Sequence, residues 1–222
     1  MSWNVVSLAD VTATPWRNGG GVTRELVAWP PGDDWQWRMS VAEVERSGPF
    51  SRFEGVQRWF AVLNGAGLVL NIGGERHTLT AESPPLVFDG AAPTNCTLLA
   101  GANQDFNLMV RGLGARAAVR SAQVKEEPAR RVGDTEQNVL PTSLRDGSSA
   151  ASTCMARVTS PTRIDVNAHR VIAIWAINTW ATLRLDQELI NIPPQTLAWR
   201  SLPHVAELTL ETDDALWMEI PQ

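Results

Sequence analysis

The stretch Gly48-Pro-Phe-Ser-Arg-Phe-Glu-Gly-Val-Gln-Arg-Trp-Phe-Ala-Val-Leu-Asn-Gly65 decides the fold class. Its first half is built from turn formers and lone aromatics. Its second half, from Val56, is an apolar run ended by Asn64-Gly65, a pair suited to positive φ and so to a tight turn. A run of this length and composition reads as an apolar strand. One strong charge, Arg58, sits near its start.

The same texture extends both ways. Upstream, Pro15-Trp-Arg-Asn-Gly-Gly-Gly21 is a glycine turn feeding a strand from Val22 to Trp29. It lacks the Gly-Lys-Ser/Thr ending of a phosphate loop, and no helical period follows it. The ordinary reading is a turn before a strand; the functional one turns Asn18, Thr23 or Arg24 toward a ligand. From Trp35 to Val44 apolar and polar residues alternate, with Trp35, Trp37, Met39 and Val41 on one face and Gln36, Arg38 and Ser40 on the other. If the second face looks inward, Arg38 is an interior cation.

Downstream, Leu68–Ile72, a Gly73-Gly74 turn and Glu75–Thr80 form a hairpin. Leu86–Phe88 and Asn95–Leu99 follow, and then Asp105–Arg111, where Asp105, Asn107, Met109 and Arg111 share a face. Short strands with turn signals between them predict an all-β sandwich or barrel with little helix.

Composition narrows the partners. The 222 residues carry a formal charge of −5, and no basic run exceeds Arg130-Arg131, which argues against a nucleic-acid surface. No apolar run approaches the ~18 residues needed to span a bilayer, and no signal-like segment opens the chain, so the expectation is a cytoplasmic protein without a membrane partner. Cys96 and Cys154 are the only cysteines and lie far apart, outside zinc or redox spacings. Three histidines, His77, His169 and His204, stand alone. No metal and no cofactor are expected. Ten tryptophans and no tyrosine favour pockets as well as core, because the indole N–H needs a partner.

The last third repeats the first. Arg170–Ile177 can be laid on Arg58–Gly65, Pro193-Pro194 near Pro84-Pro85, and Leu216–Ile220 on Phe106–Val110. This predicts an N-terminal domain over 1–113, a connection over 114–153 with strand at Ala117 to Val124, and a C-terminal domain over 154–222. In that alignment the second half has Ala215 and Trp217 where the first has Asp105 and Asn107, so its interior is expected to be filled.

The order of approach, charged residue, strand and glycine turn around Arg58 resembles the metal segment of a cupin β-barrel. A cupin would carry two histidines and a glutamate near Ser51, Phe53 and Arg58, and this chain has none of them. The words Pro-Trp-Arg-Asn-Gly-Gly-Gly-Val-Thr-Arg-Glu, Trp-Arg-Met-Ser-Val-Ala, Gly-Pro-Phe-Ser-Arg-Phe, Phe-Asp-Gly and Asp-Phe-Asn-Leu-Met, from Pro15 to Arg111, resemble the HutD/Ves family of bicupins. That resemblance implies two fused cupin-like barrels and a link to bacterial histidine utilisation. It implies a metal-free site for a small carboxylate, urocanate- or formylglutamate-like, in a regulatory or accessory role. The residues it carries over are Asn18, Thr23, Arg24, Arg38, Ser51, Arg52, Arg58, Asp105 and Asn107.

Chemistry agrees in kind, since arginines beside amide and hydroxyl groups hold carboxylates by charge-assisted hydrogen bonds. The ordinary alternative is that these arginines form ion pairs with Glu25, Glu43, Glu54 or Asp105. Two other functions compete: a metal-independent enzyme acting on a small anion with Asp105 as general base, and a carbohydrate module using its tryptophans. A homodimer through exposed apolar edges is a further expectation.

Overall fold

A computed structural model describes residues 2–112 and 152–222 of the chain. The expected connection, including the strand at Ala117 to Val124, lies outside the described residues apart from its last two positions. The chain divides into two compact units, one within Val5–Ser121 and one within Ala122–Gln222 together with Met1–Asn4. The first residues thus group with the later unit: Asn4 Nδ2 donates to the Trp199 carbonyl at 3.4 Å, and the Arg200 guanidinium lies 5.3 Å from the Trp3 ring.

The chain opens with β1 (Asn4–Ser7) and a single 3-10 turn at Leu8–Asp10, the only helix among the described residues. There follow β2 (Thr14–Pro15), β3 (Gly21–Trp29), β4 (Trp37–Val44), β5 (Gly48–Pro49), β6 (Val56–Asn64), β7 (Leu68–Ile72), β8 (Glu75–Leu79), β9 (Leu86–Asp89), β10 (Thr94–Leu98) and β11 (Asn103–Arg111). The first unit holds a six-stranded sheet in the order β2-β3-β4-β11-β6-β9 and a four-stranded sheet in the order β5-β10-β7-β8. All pairings are antiparallel.

Period-two alternation sets the inner face of the larger sheet. Ala42 and Val44 of β4 and Phe60 and Val62 of β6 pack with Leu68, Leu70 and Cys96 of the smaller sheet into one core cluster. Burying each large apolar side chain here contributes about 1.5–3 kcal/mol. The register carries polar residues onto the same face. Asn107 stands opposite Ser40 and Phe60, Asp105 opposite Ala42 and Val62, and Met109 opposite Arg38 and Arg58.

The later unit contains β12 (Cys154–Val158), β13 (Thr162–Val166), β14 (Arg170–Ala176), β15 (Ala181–Leu185), β16 (Glu188–Ile192), β17 (Thr196–Leu202), β18 (Ala206–Thr212) and β19 (Ala215–Pro221). In one sheet β17, β14, β19 and β12 are neighbours in that order, and the other runs β13-β18-β15-β16. Its core is apolar, from Ile172, Ile174, Leu183 and Leu210 to a fully buried Trp217.

The all-β expectation holds, but the hydrogen-bonded sheets do not close into barrels. In the first unit the larger sheet ends at β2 and β9 and the smaller at β5 and β8. β2 and β5 are two residues each, too short to carry a ladder from one sheet to the other. No helix among the described residues is long and apolar enough to cross a membrane.

Candidate functional site

Arg58 enters the first unit because β6 alternates and its partners Phe60 and Val62 must face the core. Its side chain is therefore carried inside, and the residue is 4% exposed. Its Nη2 donates to Asn107 Oδ1 at 2.6 Å, a short charge-assisted bond. Three rings surround the guanidinium: Phe88 at 5.0 Å, Phe50 at 5.5 Å and Phe53 at 5.8 Å. Arg58 Nε is buried with no hydrogen-bond partner, and among the described residues no carboxylate pairs with this arginine. Burial, and secondarily the charge of Arg38, lowers its pKa from the ordinary guanidinium range to about 10.

Asp105 lies two positions along β11 on the same face and is fully buried. Both carboxyl oxygens lack hydrogen-bond partners. Burial pushes its pKa well above the carboxylate range, so the acid form is favoured. Cys96 on the facing sheet is within its electrostatic reach; burial and then the Asp105 charge push that thiol up to about 12.

The remaining expected site residues fall in different places. Arg38 shares the inner face and is partly buried, paired with Glu25 at 3.3 Å, with its guanidinium 5.9 Å from both the Trp35 and Phe53 rings. Thr23 accepts a 2.7 Å hydrogen bond from Trp16 Nε1, which fixes the indole edge-on to Phe50 with centroids 5.9 Å apart. Arg24 is opposite Val41, on the outer face, and pairs with Glu43. Asn18 is exposed and staples the glycine turn: Oδ1 accepts from the Gly20 N–H at 3.0 Å and Nδ2 donates to the Pro49 carbonyl at 3.5 Å. Ser51 and Arg52 are exposed. Arg52 lines an open depression of about 400 Å³ together with Phe50, Asn71, Thr94 and Asn95. Phe50 thus borders both this depression and the guanidinium. Ion pairing accounts for Arg24 and in part for Arg38, whose Nε lies near Glu25 without a hydrogen bond, but not for Arg58.

Sequence reasoning missed the three phenyl rings, although each lies inside one of the five words. Gly90 explains the word Phe88-Asp89-Gly90. The Phe53 N–H donates to the Gly90 carbonyl at 2.9 Å, and a Cβ on Gly90 would come 2.9 Å from the Phe53 carbonyl and 2.8 Å from that of Val56. Only glycine lets the loop bearing Phe53 lie this close. Arg38, Phe50, Phe53, Phe88 and Asn107 bring four of the five words to one guanidinium, and Trp16 of the remaining word packs against Phe50. The positions where a cupin carries metal ligands hold an exposed Ser51, the Phe53 ring and Arg58. Among the described residues no three of His, Cys, Asp and Glu converge as a metal site would need. A buried cation with open donor capacity, walled by rings, can accept a planar carboxylate.

The HutD family model matches residues 8–160, more than half of the chain. The chain belongs to the HutD family. A relative described as an uncharacterized 21.2 kDa protein in the hutC 3′ region of Pseudomonas putida is 39% identical over 102 residues, covering 45% of this chain and 54% of that one. Protein Ves of Cronobacter sakazakii is 41% identical over 118 residues, 51% of this chain and 65% of that protein. The match therefore spans between about half and two-thirds of these relatives' lengths.

Among solved structures, HutD of Pseudomonas fluorescens SBW25, determined in a formate condition, superposes with a TM-score of 0.69 over 100% of both chains at 21% identity. Ylba of Escherichia coli does so at 0.67 over 98% and 90%, with 10% identity. A variant of Bacillus subtilis oxalate decarboxylase reaches 0.53 over 97% and 76%, also at 10% identity. These likenesses show the fold, which is cupin-like.

Within this HutD-family chain the duplication is visible in topology. β6 lies between β11 and β9 as β14 lies between β19 and β17, and β5-β10-β7-β8 corresponds to β13-β18-β15-β16. Arg170 matches Arg58: it is 3% exposed, donates to the Ser152 carbonyl at 2.8 Å, and has an unpartnered Nε. Strand register corrects the sequence alignment by two residues. Val62 pairs with Asp105 and Phe60 with Asn107, while Ile174 pairs with Trp217 and Ile172 with Glu219. Trp217 and Glu219, not Ala215 and Trp217, are thus the counterparts of Asp105 and Asn107. A two-residue slip keeps every side chain on its face, so alternation alone could not detect it. Trp217 fills the interior and donates to Glu219 Oε1 at 3.1 Å.

Proposed function

We propose that the chain is a metal-free binding protein for a small carboxylate, urocanate- or formylglutamate-like, acting as a regulatory or accessory component of histidine utilisation in the cytoplasm. The observation that carries this reading is Arg58, a buried cation with one neutral hydrogen-bond partner and no acidic partner among the described residues. An uncompensated buried charge is costly, and a ligand carboxylate would supply the missing counter-charge with directed hydrogen bonds. The rings of Phe50, Phe53 and Phe88 suit a planar acid. Family membership, and a relative described by its place 3′ of hutC, support the pathway. In this reading each two-sheet unit is a cupin-like barrel, and only the first retains a binding interior.

The competing enzyme reading needs Asp105 as a carboxylate base, whereas burial favours its protonated form. Binding is therefore the better supported function. Calorimetric titration with formate, urocanate and N-formylglutamate tests it. At least one should bind, and Arg58→Met should abolish that binding. Absence of heat with all three at millimolar concentration, or binding that survives the substitution, would sink the proposal.

A further inference from the structure

Arg38 Nε, Arg58 Nε, Asn103 Nδ2 and both Asp105 oxygens are buried on the inner face without hydrogen-bond partners, and two of these groups, the poles of the face, are ionisable side chains on residues less than 5% exposed. One is Arg58, with its unpartnered Nε. The other is Asp105, whose two oxygens are both buried and unbonded although the residue is fully enclosed. Buried polar atoms without partners are rare in folded proteins and commonly mark the place of a missing water, ion or ligand. Both poles face the same interior, because Asp105 and Asn107 are two residues apart on β11 and Asn107 holds Arg58. Asn107, which holds the guanidinium, stands about 7 Å from Asp105 along β11, while the Arg58 backbone lies opposite Met109, two residues further on. The flanks of Asp105 on the neighbouring strands are the small side chains Ala42 and Val62, while Asn107 has Ser40 and Phe60.

Charge counting then restricts the ligand. Arg38 is held by Glu25 and Arg24 by Glu43, which leaves Arg58 as the cation of this face with no acidic partner among the described residues. One negative charge is balanced there. A second anionic group, reaching toward Asp105, would meet no cation and would lie in an apolar shell of Val62, Leu70 and Cys96. A neutral group able to accept and donate hydrogen bonds would satisfy the Asp105 carboxyl instead.

Resting on the carboxylate reading above, we propose that Asp105 is the second pole of the ligand site and selects monoanions: small acids with one carboxylate for Arg58 and an uncharged amide- or imidazole-like far end for Asp105. Doubly charged acids of the same length are rejected. Burial supports this division of labour, since it holds the Asp105 carboxyl in its protonated, donating form. Among the ligand types considered, this favours the singly charged urocanate type over the doubly charged formylglutamate type.

The test is a matched set of probes titrated into the full chain at neutral pH: acetate, fumarate, and fumaramate, the monoamide of fumarate. Fumaramate should bind about 10-fold or more tighter than either acetate or fumarate, the scale of one satisfied buried hydrogen bond. Asp105→Leu should bring fumaramate down to the level of acetate, and Asp105→Asn, which keeps an amide at the pole, should preserve a preference for fumaramate over fumarate. Fumarate binding as tightly as fumaramate to the unaltered chain overturns the assignment whether or not the variants fold. So does a fumaramate preference that Asp105→Leu leaves intact. If acetate and fumarate bind and only the preference is missing, the Arg58 reading stands without Asp105; if no probe binds, both fall together.

Discussion

Replacing Arg58 by methionine separates function from stability. Methionine keeps an unbranched stem that can lie among the phenyl rings, without charge. In the native chain, burial and the nearby Arg38 hold Arg58 at a pKa of about 10, roughly two units below an ordinary guanidinium. At about 1.4 kcal/mol per pH unit, confining this charge costs about 3 kcal/mol. Against that stand the bond to Asn107, on the order of 1.5–3 kcal/mol for a charged group, and cation–π contacts of roughly 1–2 kcal/mol. These offset one another within about 2 kcal/mol, so the ligand-free variant should melt within about 8 °C of the native chain, at ~2–4 °C per kcal/mol for a protein of this size.

The ligand response should differ far more. A carboxylate at ~100 times its Kd stabilises by about 2.7 kcal/mol, a rise of roughly 5–10 °C in the native chain. Arg58→Met should show none. Calorimetric melts with and without urocanate provide the readout. A variant that melts more than about 15 °C low without ligand would mean that Arg58 is a structural tie rather than an idle cation. A variant that keeps the full urocanate shift would place the anion elsewhere.

Asp105→Asn should flatten the pH dependence of stability. The unfolded aspartate loses its proton near pH 4 while the buried one keeps it, so the unfolded chain binds fewer protons and native stability falls as pH rises above that range. Asparagine cannot ionise, and its advantage over the native residue should grow with pH in melts from pH 4 to 8; a constant difference would refute the burial argument. Gly90→Ala should push the Phe53 loop off its close approach, lowering stability by about 1–3 kcal/mol and weakening carboxylate binding, measured by denaturant titration and calorimetry. Arg24→Ala removes an outer-face ion pair and should change stability by no more than about 1 kcal/mol, with urocanate affinity unaltered; a tenfold loss would return Arg24 to the site.

Much of this arrangement is legible in the chain because alternation is a strong signal. The strand from Trp37 to Val44 puts Arg38 and Ser40 on the face opposite Met39 and Val41, and Asp105 and Asn107 share a face two residues apart. Sequence could not say which arginine lacked a partner. Glu25 adjoins Arg24 in sequence and Glu43 is closer in sequence to Arg38, but the pairings that form, Arg38 with Glu25 and Arg24 with Glu43, depend on the β3–β4 register and its irregularity between Glu25 and Val27. The phenyl cage was hidden for a related reason. Phe50, Phe53 and Phe88 lie in loops or short strands, where no period tells inward from outward. Sheet closure was beyond reach as well, because the two-residue strands β2 and β5 carry almost no pattern.

The second unit places a buried arginine in different surroundings on a shared frame. Arg170 occupies the place of Arg58 and is as deeply buried. The residues across from it differ. Where Asn107 offers a neutral amide to the guanidinium, Glu219 stands in register and accepts from Trp217. Where Asp105 leaves two oxygens unbonded beside small neighbours, Trp217 fills the interior with an indole whose N–H is already satisfied. The first unit thus combines a cation without a counter-charge and an acid without a partner, and the second has replaced the acid by bulk. If the proposed site in the first unit holds the carboxylate, Arg170→Met should leave binding untouched in a calorimetric titration, and a loss of binding would place the anion in the second unit instead.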